Sequence, residues 1–346
     1  MRILQVTPRY PPHTGGVETH VQELAERMVE RGHDVMVVSA DAGEDVERRE
    51  TRNGVVVRRF RGFAPGGAFH IAPSIARAVR GANPDVVHAH NYHSLPVFFA
   101  ALGRSSDARF VVTAHYHGAS ADDFRDKLLS LYRPLGGWAV RKADARIAVS
   151  EWERDQLQAD FGVEATVIPN GLETELFADA TPEERDNPYL LCVGRLEEYK
   201  GVQHAIRALA ELPNYDLLVA GSGDYRDQLE RTAKEAGVES RVEFLGFVAD
   251  ERLPGLYAGA DAYLTLSEFE SYGMTVAEAL AAGTPCVVRE AGALVDWADR
   301  EDCVGVEDVA PETVARGVAE AVELDAPATA LPTWDDVTER VLEVYE

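Results

Sequence analysis

The sequence predicts an α/β protein built as two consecutive Rossmann-like lobes facing a central cleft. Three observations carry that prediction. Short β-rich runs alternate with stretches of helical period, the mark of parallel sheets covered by helices on both faces. The alternation comes as two series, separated by a polar stretch at 181–187 that contains Pro182 and is followed by Pro188. At 346 residues the chain also exceeds what one hydrophobic core usually serves, so two domains are expected.

In the first series, residues 2–7 read as a strand leading into a glycine-containing loop at 11–16. Residues 17–31 follow as an amphipathic helix, with Val21, Leu24, Ala25 and Met28 at helical spacing and Gly32 where a helix ends. Further strands are expected at 34–39, 55–60, 85–88, 109–113 and 146–149, and a short one at 166–170 closes on a Pro-Asn-Gly turn signal. The second series has strands at 189–193, 216–220, 242–244, 262–266 and 285–288. Residues 335–345 are amphipathic after a Pro-Thr-Trp break and read as a separate closing helix. The expected domains are therefore 1–175, a polar linker, 188–330, and a closing segment at 333–346.

Composition narrows the class. With 46% hydrophobic and 27% charged residues the chain is globular, not disordered, collagenous or coiled-coil. No apolar run approaches the roughly 18 residues of a membrane-spanning helix, and the opening MRILQVTPRYPP reads as a strand and turn, not as a signal peptide. Cys192, Cys286 and Cys303 lack metal-ligand spacing and are odd in number, so neither a zinc site nor a disulfide framework is expected, and a reducing cytoplasm fits.

Charge is unevenly distributed. Residues 1–170 hold 21 basic and 21 acidic side chains, whereas the remainder holds 13 and 38, so the whole net charge of −25 lies in the second half. Only Lys127, Lys142, Lys200 and Lys234 are lysines. Abundant carboxylates with few lysines suit a surface that stays hydrated at high salt, where screening removes self-repulsion, so a halophilic host is expected. No basic face dominates, which excludes nucleic acid as partner.

Several loops could carry chemistry. Neither a Gly-x-Gly-x-x-Gly fingerprint nor a Walker loop is present. The first strand instead ends in a loop containing Gly15 and Gly16 that runs into a helix, which lets backbone amides approach an anion. Strand 189–193 runs into Gly194-Arg195 and then Lys200-Gly201, placing two cations at a strand's carboxyl end, a guanidinium that forks onto phosphate oxygens and a compact ammonium. Strand 262–266 enters an acidic loop with Glu270, and a helix is expected to begin near Gly273 and carry Glu278, so that both carboxylates could face one pocket. Amides at that helix start could hold a diphosphate. Five of the 10 histidines, His88, His90, His93, His115 and His117, lie just past strand ends. His88 and His90 have the spacing of a metal pair, but no third ligand is obvious, and hydrogen bonding to a polyhydroxylated substrate or acid–base help fits better.

Taken in order over nearly the whole chain, PPHTGGVETH, DVVHAHN, VVTAHYHG, VIPNGLE, VGRLEEYKG, GSG and EFESYGMTVAEALAAGTPCV resemble the retaining glycosyltransferases of family 4, whose two-lobed fold is called GT-B. The family's Glu-x7-Glu hallmark is matched by Glu270 and Glu278. The resemblance implies that Gly15 and Gly16 lie near the donor phosphate and the acceptor, and that Arg195 and Lys200 clamp the diphosphate of a nucleotide sugar. It puts Glu270 beside the transferred sugar, Glu278 on the ribose hydroxyls, and the amides of Tyr272, Gly273, Met274 and Thr275 on phosphate and sugar. The histidine near the anomeric carbon falls on His115 by the Thr-x-His pattern and on His117 by the His-Gly pattern. His88, His90 and His117 are candidates for the acceptor side. Asn170-Gly171-Leu172-Glu173 departs modestly from the usual Asn-Gly-Val-Asp, and the closing helix is expected to cross back to the first lobe.

The implied reaction moves a sugar from a UDP- or GDP-sugar to a hydroxyl of a glycan or lipid-linked acceptor, with retention of configuration and no cofactor. No two aspartates are separated by one residue, so there is no Asp-x-Asp motif to hold a divalent metal, and a metal-independent reaction is expected. Glu270 is expected to orient rather than attack. The alternatives are an epimerase-like enzyme, a phosphorylase, which the scarcity of lysines disfavours, or a non-catalytic sugar-binding scaffold, which the intact Arg195, Lys200 and Glu270 disfavour. Arg125, Lys127, Arg133, Arg141, Lys142 and Arg146, with Leu128, Leu129 and Leu131 nearby, would suit peripheral contact with a lipid surface. The acidic surface generates a prediction: thermal unfolding compared in molar and millimolar salt should show a lower midpoint at low salt, and an unchanged midpoint would end the halophilic reading.

Overall fold

The structure, a computed structural model, describes residues 1–43, 46–64, 70–118, 123–324 and 330–346, with the backbone alone over 123–128. The chain divides into two compact units, Met1–Gly171 together with Trp334–Glu346, and Leu172–Thr333.

The first unit follows the predicted strand–helix alternation. Its strands are β1 (Arg2–Thr7), β2 (Asp34–Ser39), β3 (Arg49–Arg52), β4 (Val55–Arg59), β5 (Val86–His90), β6 (Arg109–Thr113), β7 (Ala145–Ala148) and β8 (Thr166–Val167), with helices α1 (Gly16–Glu30), α2 (Ser74–Ala82), α3 (Pro96–Gly103), α4 (Asp123–Lys142) and α5 (Glu151–Phe161) between them. They form one sheet in the order β3-β4-β2-β1-β5-β6-β7-β8. All neighbours are parallel except β3 and β4. Hydrophobic runs such as those of β5 and β6 follow from burial on both faces. Helix α1 buries Val21, Leu24, Ala25 and Met28 as its spacing requires. Helix α5 starts on a Ser150 cap that accepts the Glu153 N–H and stops at left-handed Gly162.

Two differences from the sequence reading matter. Strand β3 pairs with β4 through Asn53-Gly54, both at positive φ, the backbone a two-residue hairpin turn needs. Its residues are polar, so hydrophobic patterning gave no sign of it. Strand β5 extends two residues beyond the expected end to His90, which puts His90 as well as His88 inside the strand.

The second unit comprises α6 (Thr174–Ala178), β9 (Tyr189–Val193), α7 (Val202–Ala208), β10 (Asp216–Ala220), α8 (Arg226–Glu235), β11 (Val242–Gly246), α9 (Leu253–Ala258), β12 (Ala262–Thr265), α10 (Met274–Ala281), β13 (Cys286–Arg289), α11 (Val295–Ala298), β14 (Cys303–Val306) and α12 (Pro311–Ala321). Its six strands are ordered β11-β10-β9-β12-β13-β14 and all parallel. Counted in chain order this is 3-2-1-4-5-6, the doubly wound arrangement whose ligands bind beyond the carboxyl ends at the point where the order reverses. In this unit that point lies between β9 and β12, and in the first unit between β1 and β5.

The polar stretch 181–187 is not a linker. The chain leaves the first unit at Gly171, and 181–187 is built into the second. The Glu183 N–H bonds to the Gly255 carbonyl, and its carboxylate takes both Arg185 and Arg252. The outgoing and returning crossings run side by side through a parallel bridge between Leu172 and Thr333.

Helix α13 (Trp334–Val344) then packs against α1, burying Trp334, Val337, Thr338 and Val341. Just past it, Tyr345 is buried at the core of the first sheet. The Gln5 amide donates to the Tyr345 hydroxyl at 3.2 Å, that hydroxyl meets His88 Nδ1 at 2.6 Å, and His88 Nε2 meets Thr113 Oγ1 at 2.8 Å. One set of protons satisfies every step of this chain. Replacing Tyr345 by Phe leaves a buried imidazole nitrogen and an amide unpaired, each worth about 1–3 kcal/mol. The Tyr345→Phe variant should therefore unfold at a clearly lower denaturant midpoint, and an unchanged midpoint would show that the network holds nothing in place.

Candidate active site

In the second unit, the loops after β9 and β12 and the end of β10 border a small, partly open recess lined by Gly194, Arg195, Lys200, Thr265, Ser267 and Glu270. Backbone bonds fix these loops: Gly194 N–H to Ala220, Leu196 N–H to Ser222, Glu268 N–H to Tyr199, and Ala293 N–H to the Glu270 carbonyl. Glycine is required where they press together. A Cβ on Gly201 would stand 2.1 Å from the Leu266 carbonyl oxygen, and one on Gly221 only 1.8 Å from that of Gly194.

Lys200 Nζ donates to Glu270 Oε1 at 2.6 Å, and both side chains are about four-fifths covered (21% and 19% exposed). Burial alone would lower the lysine pKa, but the Glu270 carboxylate outweighs it, so the pKa is raised and the ammonium stays charged. Arg195 is the exposed member of the set. Its guanidinium donates to Glu197 Oε1 at 2.8 Å and to the Tyr199 hydroxyl at 2.9 Å.

Helix α10 begins at Gly273, which has φ 101°. The Tyr272 carbonyl accepts the Trp297 Nε1–H at 2.5 Å, and the first amides of the helix, at Met274 and Thr275, have no acceptor within it. Glu278, one turn on, does not line the recess. The Tyr257 hydroxyl donates to its Oε2 at 2.7 Å. The two carboxylates expected to share a pocket are thus differently placed, because the α10 register turns Glu278 toward α9.

In the first unit, Gly15 caps α1, and its carbonyl accepts the Thr19 N–H at 2.9 Å. Gly16 has open space where a side chain would stand. His88 and His90 are fully buried, so in this arrangement they face no acceptor; burial holds both well below the ordinary histidine pKa, and they are neutral. His115 and His117 part company. His115 has φ 45° and is buried against His20 with ring centroids 4.8 Å apart. His117 is half-buried and stacks on His93 at 3.8 Å, and its N–H donates to His93 Nε2. Burial also keeps His115 well below its ordinary pKa.

Three residues that hold this cluster escaped the sequence reading. His20 occupies the apolar stripe of α1, one turn before Leu24, and its Nδ1 lies 2.8 Å from Asn170 Oδ1; burial pushes it down to about 4. Gln5 Oε1 lies 2.6 Å from His90 Nε2. Glu153 accepts the N–H groups of Tyr116 and Val149, each at 2.5 Å, and so pins the loop bearing His115. Burial raises Glu153 to about 8 against the pull of those two amides. A polar residue on a helix's apolar stripe, as at His20, was the available signal.

Of the face considered for lipid contact, Leu131 and Leu135 on α4 are exposed (77% and 47%), as are Arg141 and Lys142. Leu129 packs on the core, Arg133 pairs with Asp160, and Arg146 donates to the carbonyls of Val140, Arg141 and Ala143. The side chains of Arg125, Lys127 and Leu128 lie outside the described residues. No helix among the described residues is long and apolar enough to cross a membrane.

Two doubly wound, largely parallel sheets, the second with Arg195 and Lys200 beyond the carboxyl end of β9, are an architecture suited to binding nucleotide phosphates, and comparison with known proteins gives the class. Residues 14–176 match Glycosyltransferase Family 4, and residues 173–331 match Glycosyl transferases group 1. The chain is 33% identical over 367 residues to a glycogen synthase of Mycobacterium tuberculosis, covering 95% of this chain and 87% of that one. It is 29% identical over 392 residues to a glycosyltransferase of Methanocaldococcus jannaschii, covering 100% and 98%. Among solved structures, Anabaena HepE in complex with UDP-glucose superposes with a TM-score of 0.77 at 21% identity, over 99% of both chains. This chain belongs to the family 4, group 1 glycosyltransferases, and its two lobes have the GT-B fold.

Glu278 gives a pH signature. Burial, opposed by the Tyr257 hydrogen bond and reinforced by Asp250, raises it from an ordinary 4.5 to about 7. The folded chain therefore keeps a proton that the unfolded chain releases, so this group's contribution to stability falls as pH rises from about 4.5 through about 7. In Glu278→Gln that fall should vanish, so the unfolding midpoint at pH 8, taken relative to pH 5, should be higher in the variant than in the parent. An identical pH profile would refute the raised value.

Proposed function

We propose that this enzyme works in the cytoplasm, moving a sugar from a nucleoside-diphosphate sugar to a hydroxyl of a glycan or lipid-linked acceptor, with retention of configuration and without a bound metal. The observation that carries the reading is the grouping of Lys200, Glu270 and Arg195 around the recess beyond β9 and β12.

Breaking a sugar–phosphate bond develops positive charge at the anomeric carbon and negative charge on the departing diphosphate. Fixed positive groups stabilise the second without reorganising, which is where most of the catalysis comes from. Lys200 is held charged beside the recess. Arg195 joins it by leaving Glu197 and Tyr199, and an exposed pair of that kind costs little to break, about 0–1 kcal/mol. The first amides of α10 add the partial positive charge of a helix start. These side chains and amides supply the countercharge that a bound cation would otherwise provide, which supports metal independence.

Glu270 is the carboxylate paired with Lys200. Its Oε1 is committed to the Lys200 ammonium, which lowers its nucleophilicity and supports an orienting role beside the sugar. Glu278 retains an oxygen for a ribose hydroxyl while Tyr257 holds the other. The family resemblance assigns Gly15, Gly16 and a histidine to the donor phosphate and the reacting sugar. Between His115 and His117, neutral, strained His115 is the better-built choice. UDP-glucose in the HepE structure supports a nucleotide-sugar donor, with UDP- and GDP-sugars the candidates. Exposed Leu131 and Leu135, on the same helix as Arg141 and Lys142, support an acceptor presented at a lipid surface.

Sugar transfer should persist in excess chelator and give a product whose anomeric configuration, read by NMR, matches that of the donor. Arg195→Ala and Glu270→Ala should each lower kcat on the order of 10²–10³-fold, the range for removing one preorganised group. Wild-type-like rates in both variants, or activity abolished by the chelator, would contradict the reading.

A further inference from the structure

We propose that His20, His90 and His115 form a binding site for a divalent transition-metal ion of the zinc class, and that its occupancy switches sugar transfer off. The switch rests on the transferase reading, in which His115 serves the donor sugar; the binding does not.

One ring nitrogen from each of the three lies within 4.8 Å of those of the other two, and all three residues are buried. His20 Nε2, His90 Nδ1 and His115 Nε2 have no hydrogen-bond partner. For two of them the proton positions follow from the far side of the ring. Asn170 Oδ1 can only accept, so the His20 proton sits on Nδ1 and Nε2 presents a bare lone pair. Gln5 Oε1 can only accept, so the His90 proton sits on Nε2 and Nδ1 is bare. Buried acceptors without donors are rare and need an explanation. An imidazole that gives its far N–H to an oxygen and keeps a free lone pair is what metal-ligating histidines show, the oxygen fixing the tautomer and the ring.

His88 provides the contrast. It sits two residues from His90 on the same strand face, with ring centroids 4.0 Å apart, yet both its nitrogens are used, by Thr113 and Tyr345. The adjacent pair read from the sequence therefore has only one available member. The other ligands come from α1 and from the loop after β6.

A tetrahedral zinc with bonds of 2.0–2.1 Å sets its nitrogens about 3.3 Å apart. The rings must draw together from the present arrangement, by rotation that keeps the Asn170 and Gln5 bonds as pivots. Three nitrogens leave a fourth position for water, and imidazole suits zinc, cobalt, nickel and copper over calcium or magnesium. All three ligands are neutral, so nothing among them offsets the ion's charge, and a chelator should strip it. With its nitrogen on the metal, His115 is withdrawn from any part in transfer, so the ion inhibits and takes no step in the reaction.

The test is a titration of the metal-stripped full chain, carrying no histidine tag, with Co(II). One equivalent should bind with the visible absorption of a nitrogen-rich four-coordinate ion, and Zn(II) should displace it. His20→Gln and His90→Gln should each abolish the band, and His204→Gln should keep it. X-ray absorption on the zinc-loaded parent should count three imidazoles, which decides the site even if a variant does not fold. No stoichiometric uptake, a band surviving both variants, or an oxygen-only shell would overturn the site. Zinc at saturation should lower transfer at least tenfold, restored by chelator; a full band with undiminished transfer would overturn the switch. A metal-free enzyme that never transfers sugar would sink the transferase reading while leaving the cobalt band intact.

Discussion

A single ion pair, Lys200 Nζ to Glu270 Oε1 at 2.6 Å, organises the chemistry of the second unit. In a half-chain with 13 basic and 38 acidic residues, a cation held beside the recess must be protected from its surroundings. Partial burial removes it from the acidic surface, and Glu270 keeps it charged despite that burial. A pair of this kind is weak support for stability, because desolvating both partners offsets much of their attraction. What it provides is a preset geometry. The ammonium, the carboxylate and the start of α10 sit on loops locked by backbone hydrogen bonds and by glycines that admit no side chain.

The first unit solves a different problem. The inner strands of a parallel sheet are buried on both faces, yet β1, β5 and β6 carry Gln5, His88, His90 and Thr113 into that interior. Each buried polar atom needs a partner, or it costs about 1–3 kcal/mol. Tyr345 supplies one from the returning chain, and Asn170 supplies another where the chain is about to leave the unit. Both passages of the chain are therefore tied to the same polar core. Burial keeps the histidines neutral, which leaves their lone pairs available to hydroxyl donors or to a metal ion but removes them as fixed positive charges.

Much of the fold was legible because two periodicities alternate cleanly, so α1 and every strand except β3 and β14 were readable from apolar spacing. Strand β3 was not, because an exposed edge strand has no core face to pattern; only Asn53-Gly54 betrayed it. The polar 181–187 stretch looked like a linker for the converse reason: its order comes from Glu183 meeting Arg185 and Arg252, an interaction that composition does not reveal. Arg195, Lys200 and Glu270 were legible as candidates because they follow strand ends. Their partners were not. Nothing in spacing says that Glu278 turns to Tyr257, that His20 faces His115, or that the penultimate residue meets His88, since these pairs are made by packing between elements far apart in the chain.

The central claim is that a diphosphate is gripped by side chains and amides of the second unit without a cation. The most direct test is a crystal structure of the enzyme soaked with UDP or GDP in the presence of chelator. The diphosphate should lie against Arg195, Lys200 and the first amides of α10, with no metal density between its phosphates. Nucleotide lodged away from the β9–β12 switch point, or bound there only through a metal ion, would contradict it.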